Sequence, residues 1–266
     1  MNQPAKTLEA LLLAIYQLLQ KGDADAALDA INKLKKDQPA HAKVLQLEAL
    51  ILRKKGYLDR AIESLIASLA LDENSAEAHN SLANVYMEKQ SWSESIAHYQ
   101  AAIKLAPSYV EARRNMGLCY SAQGSLELAK KTFKEILDKR PNDVSTRVAL
   151  ANLERDENQF ELAEQHYVHA LEIENDHYNA LVNRGINARL GADLSLAKRC
   201  FENAQQQKNS ESVVVSLANI EAETGNVELA MSQLRSFLVS SPQAVQAHKN
   251  LDKLFWEYGD LSLIHI

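Results

Sequence analysis

Few side chains in this sequence have the type and spacing that catalysis or metal binding requires. His166 and His169 lie three residues apart in a helical stretch, a spacing that could hold a metal ion together with nearby glutamates. Tyr167 and Ala170 mark the buried face of that helix, so we expect both histidines to face solvent or a groove edge. We therefore predict no metal site, no catalytic residue and no cofactor.

The two cysteines, Cys119 and Cys200, are not expected to act as nucleophiles. Both fall inside helical stretches, and neither has a histidine at a spacing that suggests activation, so we interpret them as small core residues. Two thiols cannot build the disulfide framework of a secreted domain, which favours a reducing compartment. A cytoplasmic location is the resulting prediction.

The composition excludes two further classes of partner. The formal net charge is −6 over 266 residues, and it is spread along the chain. No face offers the dense lysine and arginine that phosphates need, which argues against nucleic acid. The apolar run from Leu11 to Leu19 is far shorter than the roughly 20 residues of a membrane-spanning helix, so we predict neither a membrane span nor a targeting segment.

The elements that would position any binding residue recur with a period of 34 residues. Blocks begin at Leu8, Ala42, Ala76, Val110, Val144, Tyr178 and Glu211. In each block position 20 is small and position 24 is bulky, as in Ala129 and Phe133. One helical turn separates the two positions, so a small and a large side chain share a face on which neighbouring helices can interlock.

Glycine and proline mark the ends of the helices. Proline occupies position 32 in four blocks, where it ends the second helix, and glycine at position 15 is expected in the turn between helices. Gly191 comes one residue early, which predicts a slightly irregular turn there. The pattern predicts helices over positions 2–14 and 18–31 of each block, with Gly117, Tyr120, Ala129 and Phe133 buried.

These positions resemble the tetratricopeptide repeat (TPR) family, whose pattern has small residues at 8 and 20, large ones at 7, 11 and 24, and proline near 32. The block from Val110 matches it with Met116, Gly117, Tyr120, Gly124, Ala129, Phe133 and Pro141. The resemblance covers about residues 8 to 260. It implies an all-α fold, a TPR solenoid in which antiparallel helix pairs form a right-handed superhelix.

The domain organisation follows from the blocks. Residues 1–7 form a short lead, residues 8–260 form an array of seven repeats, and Val245 begins half of an eighth. The last six residues, 261–266, resemble the translation of a sequencing-library adapter, so we expect this tail to be non-native and the chain to be a fragment.

In the TPR family the first helices line the concave groove, which positions 2, 5, 6, 9, 12 and 13 face. Asparagine recurs at such positions: Asn80, Asn84, Asn115, Asn152, Asn183, Asn219 and Asn250. Asparagine costs several tenths of a kcal/mol relative to alanine inside a helix, so its recurrence indicates a use. Arg114, Arg155 and Arg189 add positive charge along the same surface.

A primary amide offers two donors and an acceptor, which suits bonding to a peptide backbone without reading its sequence. The arrangement is similar to the asparagine ladder in the repeat domain of O-linked N-acetylglucosamine transferase, where the asparagines recur at position 6. Here only Asn115, Asn183 and Asn250 stand at position 6. Copying of one ancestral block would also spread asparagines, and that alternative stays open. Replacement of Asn115, Asn152 and Asn183 by alanine is predicted to leave stability equal or higher.

Three functions remain possible. The first is a non-enzymatic scaffold that binds an extended peptide or a partner domain in the groove. The second is the amino-terminal arm of a larger bacterial enzyme, an iron and 2-oxoglutarate oxygenase, a sulfotransferase or a glycosyltransferase. Ala247-His248, Leu251, Leu254 and Trp256 resemble a stretch that precedes such catalytic domains. The third is a structural spacer. The oligomeric state is not indicated by any residue pattern.

Overall fold

The computed structural model describes residues 7–258, and every regular element within that range is an α-helix. The first eight helices are α1 (Leu8–Gln20), α2 (Ala24–Asp37), α3 (Ala42–Lys54), α4 (Leu58–Leu71), α5 (Ala76–Glu88), α6 (Trp92–Leu105), α7 (Val110–Ala122) and α8 (Leu126–Lys139). The rest are α9 (Val144–Asp156), α10 (Phe160–Ile173), α11 (Tyr178–Leu190), α12 (Leu194–Gln207), α13 (Glu211–Glu223), α14 (Val227–Ser240) and α15 (Val245–Tyr258). The predicted all-α fold is confirmed. The 261–266 tail lies outside the described residues.

The helices form two compact units, which divide between Ile136 and Leu137 inside α8. Within each unit, the two helices of a repeat pack against each other, and the second helix packs against the first helix of the next repeat. We refer to the units as unit 1, up to Ile136, and unit 2, from Leu137.

The helices occupy positions 1–13 and 17–30 of each block, one residue earlier than predicted. The helices begin one residue earlier because the N-cap is the residue immediately before position 1 or position 17, so that position is already helical. The Ser75 hydroxyl accepts a hydrogen bond from the N–H of Ala78 at 3.2 Å, and the Asp193 carboxylate accepts one from the N–H of Leu196 at 2.9 Å. These bonds satisfy amide groups that have no partner inside the helix.

The interlock between the helices of a repeat is seen most clearly at Gly117. A β-carbon added there would lie 2.5 Å from Cε1 of Phe133, so only glycine lets the ring approach the first helix this closely. Phe133 and Ala129 are fully buried, as predicted. Tyr120 is only half-buried, contrary to the prediction, because its hydroxyl reaches the surface and accepts a hydrogen bond from Gln100 Nε2 at 3.4 Å.

The turn between the two helices of a repeat requires a left-handed residue at position 15. Four of these residues are glycines, with φ between +77° and +87°. Gln90, Asn158 and Ala192 adopt the same conformation at φ of 60°, 63° and 65°. Gly191 has an ordinary φ of −78°, so the predicted irregularity of this turn is wrong. The turn keeps its geometry, and the left-handed residue is Ala192.

Replacing Ala192 with glycine should stabilise the protein. A side chain in the left-handed region destabilises the folded state by about 1–2 kcal/mol. Glycine removes this strain, but its greater freedom in the unfolded chain offsets about 0.5–1 kcal/mol of the gain. We expect Ala192→Gly to raise the free energy of unfolding in urea by about 0.5–1 kcal/mol. Gly191→Ala serves as the control, because its new β-carbon would lie at an ordinary 3.5 Å from the carbonyl oxygen of Asn187. A loss of stability in Ala192→Gly would show that this turn is unstrained.

Repeat 3 contains a hydrogen-bonded pair of histidines that joins α5 to α6. Nδ1 of His79 lies 3.0 Å from Nδ1 of His98, and Nε2 of His79 lies 3.3 Å from the carbonyl oxygen of Glu73. The Tyr86 ring stacks on His98 with the planes 4° apart. Burial lowers the pKa of His98, and the neighbouring His79 lowers it further. One proton fits between the two Nδ1 atoms, whereas two would repel each other.

The histidine pair should make stability depend on pH. A lowered pKa in the folded state means that the folded protein binds fewer protons than the unfolded chain near the usual histidine pKa of ~6.5. The contribution is therefore complete above the usual histidine pKa and is lost as the pH falls below it and through the lowered pKa of His98. We expect urea midpoints of the wild type to fall relative to those of His98→Gln over this range. His169→Gln, which removes an exposed histidine, should follow the wild type.

Candidate functional site

The predicted site residues lie on the first helices of the repeats, in one group for each unit. Unit 1 holds Asn80 and Asn84 on α5 and Arg114 and Asn115 on α7. Unit 2 holds Asn152 and Arg155 on α9, Asn183 and Arg189 on α11, Asn219 on α13 and Asn250 on α15. In unit 1, α3, α5 and α7 are successive neighbours, and in unit 2 α9 contacts α11 and α13 contacts α15. We call this the first-helix surface of each unit.

In unit 1, Asn84 is held by two hydrogen bonds to its side-chain oxygen. The hydroxyl of Tyr99, a buried ring on α6, donates one, and Nδ2 of Asn115 donates the other at 3.2 Å. Burial raises the pKa of the Tyr99 phenol, so the hydroxyl keeps its proton and remains a donor. Since no hydrogen bond within residues 7–258 uses Nδ2 of the half-buried Asn84, its two donors are available at the surface.

Unit 2 contains a related arrangement, in which an arginine links the two asparagines while Nδ2 of Asn183 donates to the carbonyl oxygen of Asn179 at 2.8 Å. The side-chain oxygen of Asn152 accepts a hydrogen bond from the Tyr167 hydroxyl at 2.6 Å and another from Arg155 Nη1 at 3.4 Å. The same Nη1 donates to the side-chain oxygen of Asn183 at 3.1 Å. Tyr167 is fully buried, and burial raises the pKa of its phenol. The Nδ2 donors of Asn152 are again unused by the described part of the chain.

The other predicted asparagines are placed differently. Asn80 is only 6% exposed, and its side-chain oxygen is buried without a hydrogen-bond partner, so it lies beneath the surface rather than on it. Asn219 is half-buried and has no hydrogen bond within the described chain. Asn250 donates to the carbonyl oxygen of Gln246 in its own helix at 2.8 Å.

The arginines contribute less positive charge than the sequence suggested. Arg155 pairs with the carboxylate of Asp156 at 2.9 Å, and Arg189 pairs with Glu223 on the next first helix. Arg114 is half-buried on α7. The first-helix surface of unit 2 therefore offers amide groups and balanced ion pairs rather than an excess of cations.

Sequence reasoning missed an apolar part of the unit 1 surface. A cavity of about 390 Å³ lies over α1, α3 and α5. Its apolar lining consists of Leu12, Leu13, Tyr16, Leu47 and Leu50. The side chain of Leu13 is 57% exposed. A signal was present, since leucine and tyrosine fill positions 6 and 9 in the first two blocks, where later blocks carry asparagine.

The sequence did not reveal that Tyr99 and Tyr167 donate hydrogen bonds to the candidate residues Asn84 and Asn152. Tyrosine stands at position 24 only in the blocks from Ala76 and Val144, and both of these have asparagine at position 9. The two positions are 15 residues apart on different helices, so their contact emerges only in the folded repeat. The prediction that Asn152→Ala leaves the stability of the protein equal or higher is therefore revised to a loss of stability, because the substitution would leave the Tyr167 hydroxyl without its acceptor.

Nothing in the described range adds a metal-binding cluster. Residues 7–258 contain no group of three or more histidine, cysteine, aspartate or glutamate side chains close enough to hold a metal ion. His166 Nε2 lies 3.4 Å from a carboxylate oxygen of the buried Glu154 instead of facing solvent, and His169 is exposed. None of the helices in the same range is both long and apolar enough to span a membrane.

Fold and surface together define a class of protein, a scaffold of packed helix pairs whose first helices present a surface bearing amides. The profile described as TPR repeat matches residues 49–90 and 83–124, and the profile described as Tetratricopeptide repeat matches residues 111–143. Residues 49–143 are thus tetratricopeptide repeats, and the helix pairs before and after them have the same lengths and spacing.

Solved structures of other repeat proteins have the same fold. The structure of yeast Tom70 has a TM-score of 0.76 and 17% identity, and the match covers 93% of this chain and 53% of that one. A tetratricopeptide repeat protein from Parabacteroides merdae has a TM-score of 0.73 and 18% identity, and the match covers 93% and 98% of the two chains. At these identities the likeness shows the fold alone.

Three curated relatives are similar to parts of the chain. The chloroplastic protein PYG7 of Arabidopsis thaliana is 29% identical over 136 residues, or 48% of this chain and 44% of PYG7. Human mitochondrial import receptor subunit TOM70 is 24% identical over 237 residues, 84% of this chain and 39% of TOM70. Human Protein O-mannosyl-transferase TMTC1 is 27% identical over 133 residues, 48% of this chain and 14% of that protein. The chain spans less than half the length of each.

A double-mutant cycle should measure the bond between Asn84 and Tyr99. We expect Asn84→Ala and Tyr99→Phe each to lower the free energy of unfolding by about 1–2 kcal/mol, because the first leaves the buried Tyr99 hydroxyl without its acceptor and the second removes one of the two hydrogen bonds to the Asn84 oxygen. The double variant should lose about 1 kcal/mol less than the sum of the single losses.

Asn219→Ala is the matched control, since Asn219 holds the same position in its repeat but faces Leu234 at position 24. It should leave stability unchanged or slightly raised, because alanine is the better helix former. Additive losses in the Asn84 and Tyr99 cycle would contradict the bond.

Proposed function

We propose that this protein binds an extended peptide on its first-helix surfaces, through the main-chain carbonyl groups of the peptide. The TPR fold is consistent with a role in protein–protein interaction. One observation carries the finer proposal: Asn84 and Asn152 both have their side-chain oxygen engaged from inside the protein, which leaves the two N–H donors of each amide for a ligand.

The direction in which the amides are held determines what they can bind. A free asparagine can turn either its oxygen or its nitrogen outward, whereas one whose oxygen accepts a buried hydroxyl keeps its nitrogen outward. An exposed N–H pair selects acceptors. Carbonyl oxygens are the acceptors that every residue of a peptide supplies, so this contact does not depend on peptide sequence.

The rest of the surface supports a polypeptide ligand. In unit 1 the apolar cavity over α1, α3 and α5 can receive aliphatic side chains, whose burial is worth about 25 cal/mol per Å². In unit 2 a cavity of about 360 Å³ is lined by Ile186, Leu190, Phe201, Ser216 and the Arg189–Glu223 pair. Among the similar proteins, human TOM70 is named as an import receptor subunit, which supports polypeptide recognition by this fold.

The alternative of an arm of a larger enzyme gains little from the comparisons. The match to the mannosyl-transferase covers 14% of that protein, which is too small a share to carry an activity to this chain. No specific contact in residues 7–258 favours catalysis. We therefore propose binding as the activity of the described residues.

Binding can be tested without a known partner by panning a random linear peptide library against the purified protein. The affinity of selected peptides is then measured by fluorescence anisotropy for the wild type and for Asn84→Asp and Asn152→Asp. Aspartate keeps the oxygen that accepts the tyrosine hydroxyl but removes the N–H donors, so the repeat stays folded while the contact is lost. We expect each substitution to weaken binding of a peptide at its site by at least roughly fivefold, about 1 kcal/mol.

Asn32→Asp and Asn203→Asp control for the added charge, because both residues are exposed on second helices, one in each unit. They should bind as the wild type does. Failure of the library to yield any peptide would favour a spacer. Equal losses in the control and surface variants would rule out main-chain recognition by these amides.

A further inference from the structure

The two asparagine sites are related by a period of two repeats rather than one. Asn84 and Asn152 are 68 residues apart, and so are their neighbours Asn115 and Asn183. The triplet Leu-Ala-Asn stands at 82–84, 150–152 and 217–219. From repeat 3 onward the chain is thus built from pairs of unlike repeats.

The two members of a pair differ in how the first helix meets position 24. In repeats 3 and 5 that residue is a tyrosine, which faces alanine at position 8 and asparagine at position 9. In repeats 4 and 6 it is a phenylalanine, which packs on Gly117 or Gly185, where an added β-carbon would lie 2.5 or 2.9 Å from the ring. Position 9 is then Leu118 or Ile186. Within repeats 3 to 6, asparagine stands at position 9 only in the two repeats whose position 24 is tyrosine.

Each site is completed by the repeat that follows. In unit 1 the oxygen of Asn84 receives a second hydrogen bond from Asn115 of repeat 4, at 3.2 Å. In unit 2 Asn152 and Asn183 of repeat 6 are joined by the shared Nη1 of Arg155, at 3.4 and 3.1 Å. A pair of repeats is therefore the smallest part of the chain that contains a whole site.

A third copy of the two asparagines exists without the tyrosine. Asn219 and Asn250 correspond to the same positions, but Leu234 occupies position 24 and Ala222 occupies position 12. Asn219 makes no hydrogen bond with the described residues, and Asn250 donates to the carbonyl oxygen of Gln246 in its own helix, as Asn183 does to that of Asn179 at 2.8 Å. This copy lacks the tyrosine hydroxyl and also the arginine at position 12 that joins Asn152 to Asn183, and its two amides are not linked.

We propose that the chain carries two equivalent carbonyl-binding sites, one in each compact unit, and that a third copy is inactive because Leu234 replaces the tyrosine. This inference rests on the proposed function. Tyr99 and Tyr167 are positioning residues, since they act on the ligand only through Asn84 and Asn152. The ligand is a polypeptide segment that presents main-chain carbonyl oxygens.

The number of sites can be counted by isothermal titration calorimetry with the shortest peptide that library panning selects. The wild-type protein should bind two equivalents of this peptide. Tyr99→Phe and Tyr167→Phe should each reduce the count to one and leave the affinity of the remaining site within about twofold. The double variant should bind at least tenfold more weakly. Circular dichroism spectra should be unchanged, because the ring that fills the core is kept.

Leu234→Tyr should raise the number of bound peptides from two to three, because it supplies the missing hydroxyl next to Asn219. Ala218 leaves the same room for the ring as the alanine at position 8 of repeats 3 and 5. If the single variant folds poorly, Leu234→Tyr with Ala222→Met reproduces the surroundings of Tyr99, whose hydroxyl lies 3.8 Å from the sulfur of Met87.

The outcomes separate the two proposals. A peptide that binds with one equivalent, or with two that survive both tyrosine substitutions, would overturn the two-site inference and leave peptide binding intact. Absence of a third equivalent in both forms of the Leu234 variant would overturn the role of the tyrosine. If no peptide binds the wild type, the proposed function and this inference both fail.

Discussion

The structure depends on one steric constraint, which is the insertion of a bulky side chain at position 24 against a small residue on the partner helix. Phe133 on Gly117 and Phe201 on Gly185 are its tightest forms, and Tyr99 and Tyr167 are its polar forms. Because protein interiors are packed as densely as organic crystals, each ring fixes the distance between the two helices of its repeat. The second helix of each repeat then packs against the first helix of the next, so a local fit is propagated through each unit.

The same constraint links stability to the candidate site. A phenylalanine ring needs only space, whereas a tyrosine ring must also satisfy its hydroxyl when it is buried. The asparagine at position 9 satisfies it at the edge of the core, where the amide nitrogen still reaches the surface. The buried tyrosine hydroxyl thus fixes the orientation of the asparagine amide at the surface. Contacts made by such neutral groups are also little affected by salt, in contrast to exposed ion pairs.

The fold could be predicted from the sequence because repetition multiplies a weak signal. A single small and large pair such as Ala129 and Phe133 means little, but the same pair in seven blocks fixes the helices to within one residue. The site was predicted only in part. The positions of Asn84 and Asn152 follow from helical periodicity, but their orientation depends on a hydroxyl from another helix. Likewise, Arg189 looked like a source of charge, and its pairing with Glu223 depends on the distance between two repeats.

An amide held with its nitrogen outward can bind a peptide that contains proline, a residue that most strand-pairing surfaces cannot accommodate. Proline has no N–H and cannot complete the ladder of a β-sheet, but it keeps its carbonyl oxygen. An amide nitrogen that donates hydrogen bonds and accepts none does not need the missing N–H. Proline-rich and proline-free segments would therefore make the same main-chain contacts with Asn84 and Asn152. By orienting these amides, the buried hydroxyls of Tyr99 and Tyr167 would allow binding of rigid, extended chains that cannot pair with a sheet edge.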